Sequence, residues 1–259
     1  MNDSTAICVP SLKKSATMMI QSVVSGGIGI FLWILLARMM SMSEFGEFSA
    51  SYSVLNIVVM ISSLGMGTMV TKIYSQSYIE GNWELSRGLR RNAPLFILGA
   101  SIICFVVLVG YHSTIHRHTA VRIESFIVVM ALLPLFALAG FFGFTCSAHG
   151  APARSGAVYG WGWNIVSLLT LGVFAVVFGD RLGVLDVAGV FAISAMIVLY
   201  LLWLLSRSVE PEHIKHGKRS YSNSEWIRSG LSIAFAGLSV ITIHRCGVVV
   251  LGWIHADAE

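Results

Sequence analysis

Apolar runs long enough to cross a bilayer recur along this chain of 259 residues, and they decide its class. A helix needs about 20 mostly apolar residues to cross roughly 30 Å of hydrocarbon. Runs of that kind lie near Ser15–Arg38, Phe48–Thr71, Ala93–Tyr111, Phe126–Cys146, Trp161–Phe178, Val187–Leu205 and Leu231–Ile254. Barrel strands would alternate apolar and polar residues over segments of about 10, and these runs are too long and too continuously apolar for that. Inside lipid the backbone must satisfy its own hydrogen bonds, so each run is helical. Only 12% of the residues are charged, against about 25% in a soluble domain. The expected fold is all-α, a polytopic transmembrane bundle of about seven spans.

Net charge is +4, and its distribution argues against nucleic acid as a partner. With the N-terminus in the cytoplasm, the inside segments carry Lys13, Lys14, Lys72, Arg87, Arg90, Arg91, Arg154, Arg207, Lys215, Lys218, Arg219 and Arg228. The outside segments carry Arg38, Arg117, Arg122 and Arg181, and Arg245 lies within the last run. The excess of inside cations predicts an N-in orientation and contact with anionic membrane lipids. The first run is too long for the core of a cleaved signal peptide, so it reads as a retained span. Cys8, Cys104, Cys146 and Cys246 are scattered, with no metal-ligand or redox spacing. His112, His116 and His118 do not share one helix face, which argues against a metal site there.

The segments between runs give the expected connections. Met39–Glu47 and His112–Ser125 read as outside loops, and Gly179–Asp186 as a tight outside turn. Gln76–Asn92 reads as an amphipathic cytoplasmic segment, with Trp83 and Leu85 at the interface, or as a solvated connector. Ser147–Gly160 reads as a Gly-rich cytoplasmic segment containing Gly156 and Gly160 in GxxxG spacing. Pro134 should kink the fourth span.

Polar residues inside the runs fall on stripes. In the second, Ser49, Ser53, Asn56, Ser63, Gly67 and Thr71 share a face; in the first, Ser22, Ser25, Gly26 and Gly29; in the seventh, Ser232, Ser239, Thr242 and Cys246. Such stripes either pack against other helices or line a wet cavity. His244 and Arg245 sit near the middle of the last run, where a charge must face protein or water. Arg38 and Lys72 lie at span ends, within reach of the interface by snorkelling. The candidate cavity residues are therefore Arg245, His244, Lys72, Arg38, Asn56, Ser53 and Ser63.

The last run can be laid on the first, with LGWIHADAE (Leu251–Glu259) under LARMMSMSE (Leu36–Glu44). The expected organisation is a tail over 1–14, a six-span bundle over 15–205, a cytoplasmic linker over 206–229, and the start of a second bundle over 230–259. On that repeat logic a whole protein would hold about five further spans, so the expectation is a truncated product or the front of a longer protein.

The segment from Ser11 to Gln76 resembles the start of bacterial oligosaccharide flippases, the Wzx-like polysaccharide transporters of the multidrug/oligosaccharidyl-lipid/polysaccharide exporter superfamily. The residues that carry the resemblance are Leu36–Arg38, the Glu44–Phe48 turn with its Gly46, and Leu64–Lys72, over about the first 90 residues. It implies half of a two-bundle transporter that flips an undecaprenyl-pyrophosphate-linked oligosaccharide across the inner membrane, with other polysaccharide assembly proteins as partners. It implies no cofactor, no metal and no catalytic residue. Family members often carry an acidic residue in the seventh span, where this chain has His244–Gly247. The physical chemistry agrees, since a pyrophosphate needs cationic and hydrogen-bonding partners. Alternatives are a small-molecule exporter of the same superfamily, a non-functional remnant, and a membrane-embedded polysaccharide-processing enzyme. The short outside loops argue against the last.

Overall fold

The computed structural model describes residues 12–115, 122–179, 181–215, 217–222, 224 and 226–239. Every regular element among them is helical. The order is α1 (Leu12–Met39), α2 (Met42–Ser62), α3 (Met66–Glu80), α4 (Glu84–Ile115), α5 (Ile123–Met130), α6 (Leu133–Ala148), α7 (Pro152–Gly156), a π-helical segment (Ala157–Gly162), α8 (Trp163–Phe178), α9 (Val184–Val209) and α10 (Glu212–Lys215). A further helical stretch occupies 226–239. Joined end to end, these make six helices long and apolar enough to cross a membrane, and the chain is a multi-pass helix bundle. The seventh run is described only as far as residue 239.

Helix ends fall elsewhere than charge suggests. The expected outside loop Met39–Glu47 shrinks to Met40–Ser41, because Ser41 starts α2. Its hydroxyl accepts the Glu44 backbone N–H at 3.3 Å, and the Glu44 carboxylate accepts from the Ser41 backbone N–H and hydroxyl, a reciprocal cap. Across from it, the Asp186 carboxylate accepts the Gly183 N–H at 2.9 Å and opens α9. The Leu182 N–H donates to the Met39 carbonyl, tying the two turns together. The amphipathic segment Gln76–Asn92 is not a surface helix. It is the end of α3 and the start of α4, separated by Gly81–Trp83, with Gly81 in the left-handed region at φ 70°. His112 likewise lies in α4, buried and stacked on Phe126 at 4.5 Å, rather than in a loop. His116, Arg117 and His118 lie outside the described residues.

Two spans are broken. The second bends between α2 and α3, where Leu64 and Gly65 have φ of 49° and 62°. The fourth bends at Ala131–Leu132, and Pro134 sits in the first turn of α6, where its missing N–H is tolerated. The helix is thus interrupted just before the proline at which the sequence places a kink. The expected Gly-rich connector Ser147–Gly160 is mostly helix from Pro152 onward. Its Gly156 and Gly160 face Gln21 and Ser25 of α1, where an added Cβ would lie 3.4 and 3.5 Å from their side-chain oxygens. Gln21 donates to the Ala153 carbonyl at 3.3 Å, and Asn164 donates to the Ser25 carbonyl at 2.9 Å. Part of the small-residue stripe of the first span is thus a packing face.

The core alternates along the chain. The second, fourth and sixth spans are 44%, 56% and 44% buried, whereas the first, third and fifth are 11%, 17% and 11% buried. The even spans therefore form the centre, and the odd ones wrap it. The helical stretch 226–239 packs on the α2–α3 break through Gly230, Ile233 and Gly237, and Trp226 joins the core of α3 and α4. The polar stripe expected there faces away: Ser232 and Ser239 are exposed and bond back to their own helix, while Thr242 and Cys246 lie outside the described residues.

Candidate functional site

A half-open cavity of about 170 Å³ is lined by Tyr52 and Asn56 of α2, Phe136 and Ala139 of α6, the partly exposed Tyr159 of the π-helical segment, and Trp163 of α8. Aromatic rings build its walls. Phe136 meets Trp163 edge-on at 4.7 Å and Tyr52 at 6.0 Å, and Trp33 closes on Tyr52 from behind at 5.4 Å. Phe191 of α9 backs both Tyr52 and Trp163. Asn56 supplies the amide. One of its N–H groups donates to the Tyr52 carbonyl at 2.7 Å, which leaves its other N–H and its oxygen for the cavity.

The π-helical segment carries Tyr159, and Trp163 follows it as the first residue of α8. One extra residue per turn widens the helix, a device frequent at functional sites. The AVYGWG sequence permits it because Gly162 has no Cβ; an added one would lie 2.8 Å from the Ala157 carbonyl oxygen. Gly162→Ala should therefore force the turn to rewind, with a loss of about 1–3 kcal/mol. Thermal unfolding in detergent, together with the near-ultraviolet circular dichroism of the ring cluster, checks this. An unchanged aromatic signal would show that the wide turn does not depend on Gly162.

The residues singled out in the sequence are dispersed. Asn56 lines the cavity. Ser53 is buried and donates to the Ser49 carbonyl at 2.8 Å, and Ser63 donates to the Met60 carbonyl at the α2–α3 break. Gly67 lies under the Phe144 ring. Arg38 and Lys72 are exposed and do not line this cavity. His244 and Arg245 lie outside the described residues. The rings of Tyr52, Phe136, Tyr159 and Trp163 were not singled out. Their signal was the aromatic–glycine alternation Tyr159–Trp163.

Two polar clusters sit at the ends of the bundle. At the end holding the first turns of α2 and α5, the Glu47 carboxylate is 7% exposed and accepts the Ser125 hydroxyl at 2.9 Å. Arg122, 77% exposed, stands 3.7 Å away. At the other end, Arg90 of α4 pairs with Glu210, just past α9. His149, in the turn after α6, stacks on Tyr74 at 4.6 Å and lies 3.4 Å from the Tyr78 hydroxyl.

Burial, and secondarily the Arg90 charge, push the His149 pKa from 6.5 down to about 4. Between those values the unfolded chain binds a proton that the folded chain refuses. Stability is therefore lost as pH falls from about 6.5 toward 4. His149→Phe keeps the stacked ring and removes the titration. Its melting temperature should fall less than that of the parent between pH 7 and pH 5; parallel pH profiles would rule out His149 as the source.

No protein family, curated protein or solved structure matches the chain. What the fold defines is a class, a multi-pass helical membrane protein with a half-open aromatic and amide cavity.

Proposed function

We propose that the chain takes part in moving lipid-linked oligosaccharide repeat units across the bacterial cytoplasmic membrane by alternating access, with its N-terminus in the cytoplasm. The observation that carries this reading is the aromatic and amide cavity beside broken spans, a concave, mostly apolar site with a few polar groups of the kind that takes substrates in helical transporters. The resemblance of residues 11–76 to oligosaccharide flippases supports it, and so does the excess of basic residues in alternate connections. Its action is transport rather than covalent chemistry. The polyprenyl tail would stay in lipid while the headgroup crosses through the bundle.

A small-molecule exporter is the second reading, favoured by the ring-lined walls, since aromatic faces also attract organic cations. The test is reconstitution of the full chain in proteoliposomes containing undecaprenyl pyrophosphate linked to a fluorescent oligosaccharide. Translocation is read from headgroup accessibility to an impermeant quencher. Transfer faster than in protein-free vesicles is expected; equal rates would refute the reading.

A further inference from the structure

We propose that the cavity receives one uncharged sugar ring of the cargo and excludes the pyrophosphate. This inference rests on the transport reading above and specifies which part of the cargo the site recognises.

The lining carries no formal charge: Tyr52, Asn56, Phe136, Ala139, Tyr159 and Trp163 are all neutral. A pyrophosphate taken out of water needs cations or a dense set of N–H donors. Here it would meet ring faces, which bear the negative part of the aromatic quadrupole. A pyranose has the opposite character. Its C–H faces are weakly positive and apolar, suited to ring faces, and its hydroxyls seek neutral donors and acceptors.

Those partners are available. Asn56 keeps an N–H and its carbonyl oxygen free after its bond to Tyr52. Tyr159 and Trp163, which also line the cavity, carry a hydroxyl and an indole N–H donor. Size narrows the choice further. About 170 Å³ is the liquid volume of about five or six waters, and lies below the roughly 300 Å³ at which pockets for drug-sized ligands begin. One sugar ring fits that scale.

The test uses the full chain in nanodiscs and two probes, undecaprenyl pyrophosphate carrying one N-acetylglucosamine and bare undecaprenyl pyrophosphate. Equilibrium binding should favour the sugar-bearing lipid by about tenfold, the size of about one well-made hydrogen-bond set. Asn56→Leu should abolish that preference and leave the bare lipid's affinity unchanged. Tyr159→Phe, which removes a single oxygen and preserves packing, should reduce the preference even if the Asn56 variant folds poorly. Equal affinities for the two probes, or a preference that survives both substitutions, would overturn the inference.

The transport assay separates the two readings. Flipping of the lipid-linked sugar without any Asn56-dependent preference sinks the site assignment alone. Preference without flipping leaves the sugar site standing and sinks the transport reading. Asn56-dependent binding of tetraphenylphosphonium that displaces the sugar-bearing lipid overturns the site assignment in favour of a cation exporter.

Discussion

Replacing Arg90 with methionine is expected to destabilise the bundle by about 3 kcal/mol. The Glu210 side chain is 4% exposed, and Arg90 pairs with it from α4. Without Arg90 the buried carboxylate loses that cation, and the cost of holding its charge away from water, rather than the lost attraction, dominates the effect. Arg90 is itself 35% exposed, so water screens the pair and the lower end of the usual range applies. Glu210→Met on top of Arg90→Met removes the stranded charge and should restore much of the stability. Unfolding of the three proteins in detergent measures the cycle. Additive losses would mean that the pair is not coupled.

Gly65→Val is expected to release the helical stretch 226–239 from the α2–α3 break. Gly65 has a φ of 62°, and an added Cβ would lie 2.4 Å from the Gly230 carbonyl oxygen. A β-branched residue is strained in that backbone region by about 1–2 kcal/mol, and the backbone contact adds to it. Met60 touches Gly237 farther along the same contact. In a background cleared of native cysteines, Met60→Cys with Gly237→Cys should crosslink readily. Adding Gly65→Val should lower the crosslinking yield about tenfold at equilibrium. Undiminished crosslinking would show that the contact tolerates a side chain and that the close approach is incidental.

The spans were legible because length and continuous apolarity are the properties that the bilayer itself selects. Their ends were not. Glu44, Glu47, His112 and Arg90 suggested loops by their charge or polarity, yet each is inside a helix. Glu44 caps its own helix, Glu47 and Arg90 have partners from other elements, and His112 stacks on Phe126. Partners remote in sequence cancel the polarity that local reading relies on. Pro134 was legible, since a missing N–H acts locally.

The cavity was half legible. Asn56 stood out as an amide within an apolar run, but the rings around it did not, because aromatic residues are unremarkable in a membrane helix. Tyr159 and Trp163 stand four apart, on one helix face, yet in a run rich in aromatic residues nothing marks them as cavity walls rather than as rings facing lipid. The polar stripe of the second span has a mixed fate for a similar reason. Ser53, Ser63 and Thr71 return their hydroxyls to their own backbone, so they resemble cavity residues in spacing without serving as such.

The alternation of buried even spans and bare odd spans bears on biogenesis. An odd span leaving the insertion machinery needs few neighbours from the described bundle, which buries little of its surface. An even span needs more, and its serines, tyrosines and Glu47 wait in hydrocarbon until neighbours arrive. The sixth span supplies Phe191, which completes the ring cluster around the second. For most of synthesis, therefore, the nascent chain displays an unfinished polar seam, the feature by which membrane quality control could tell a stalled product from a completed one.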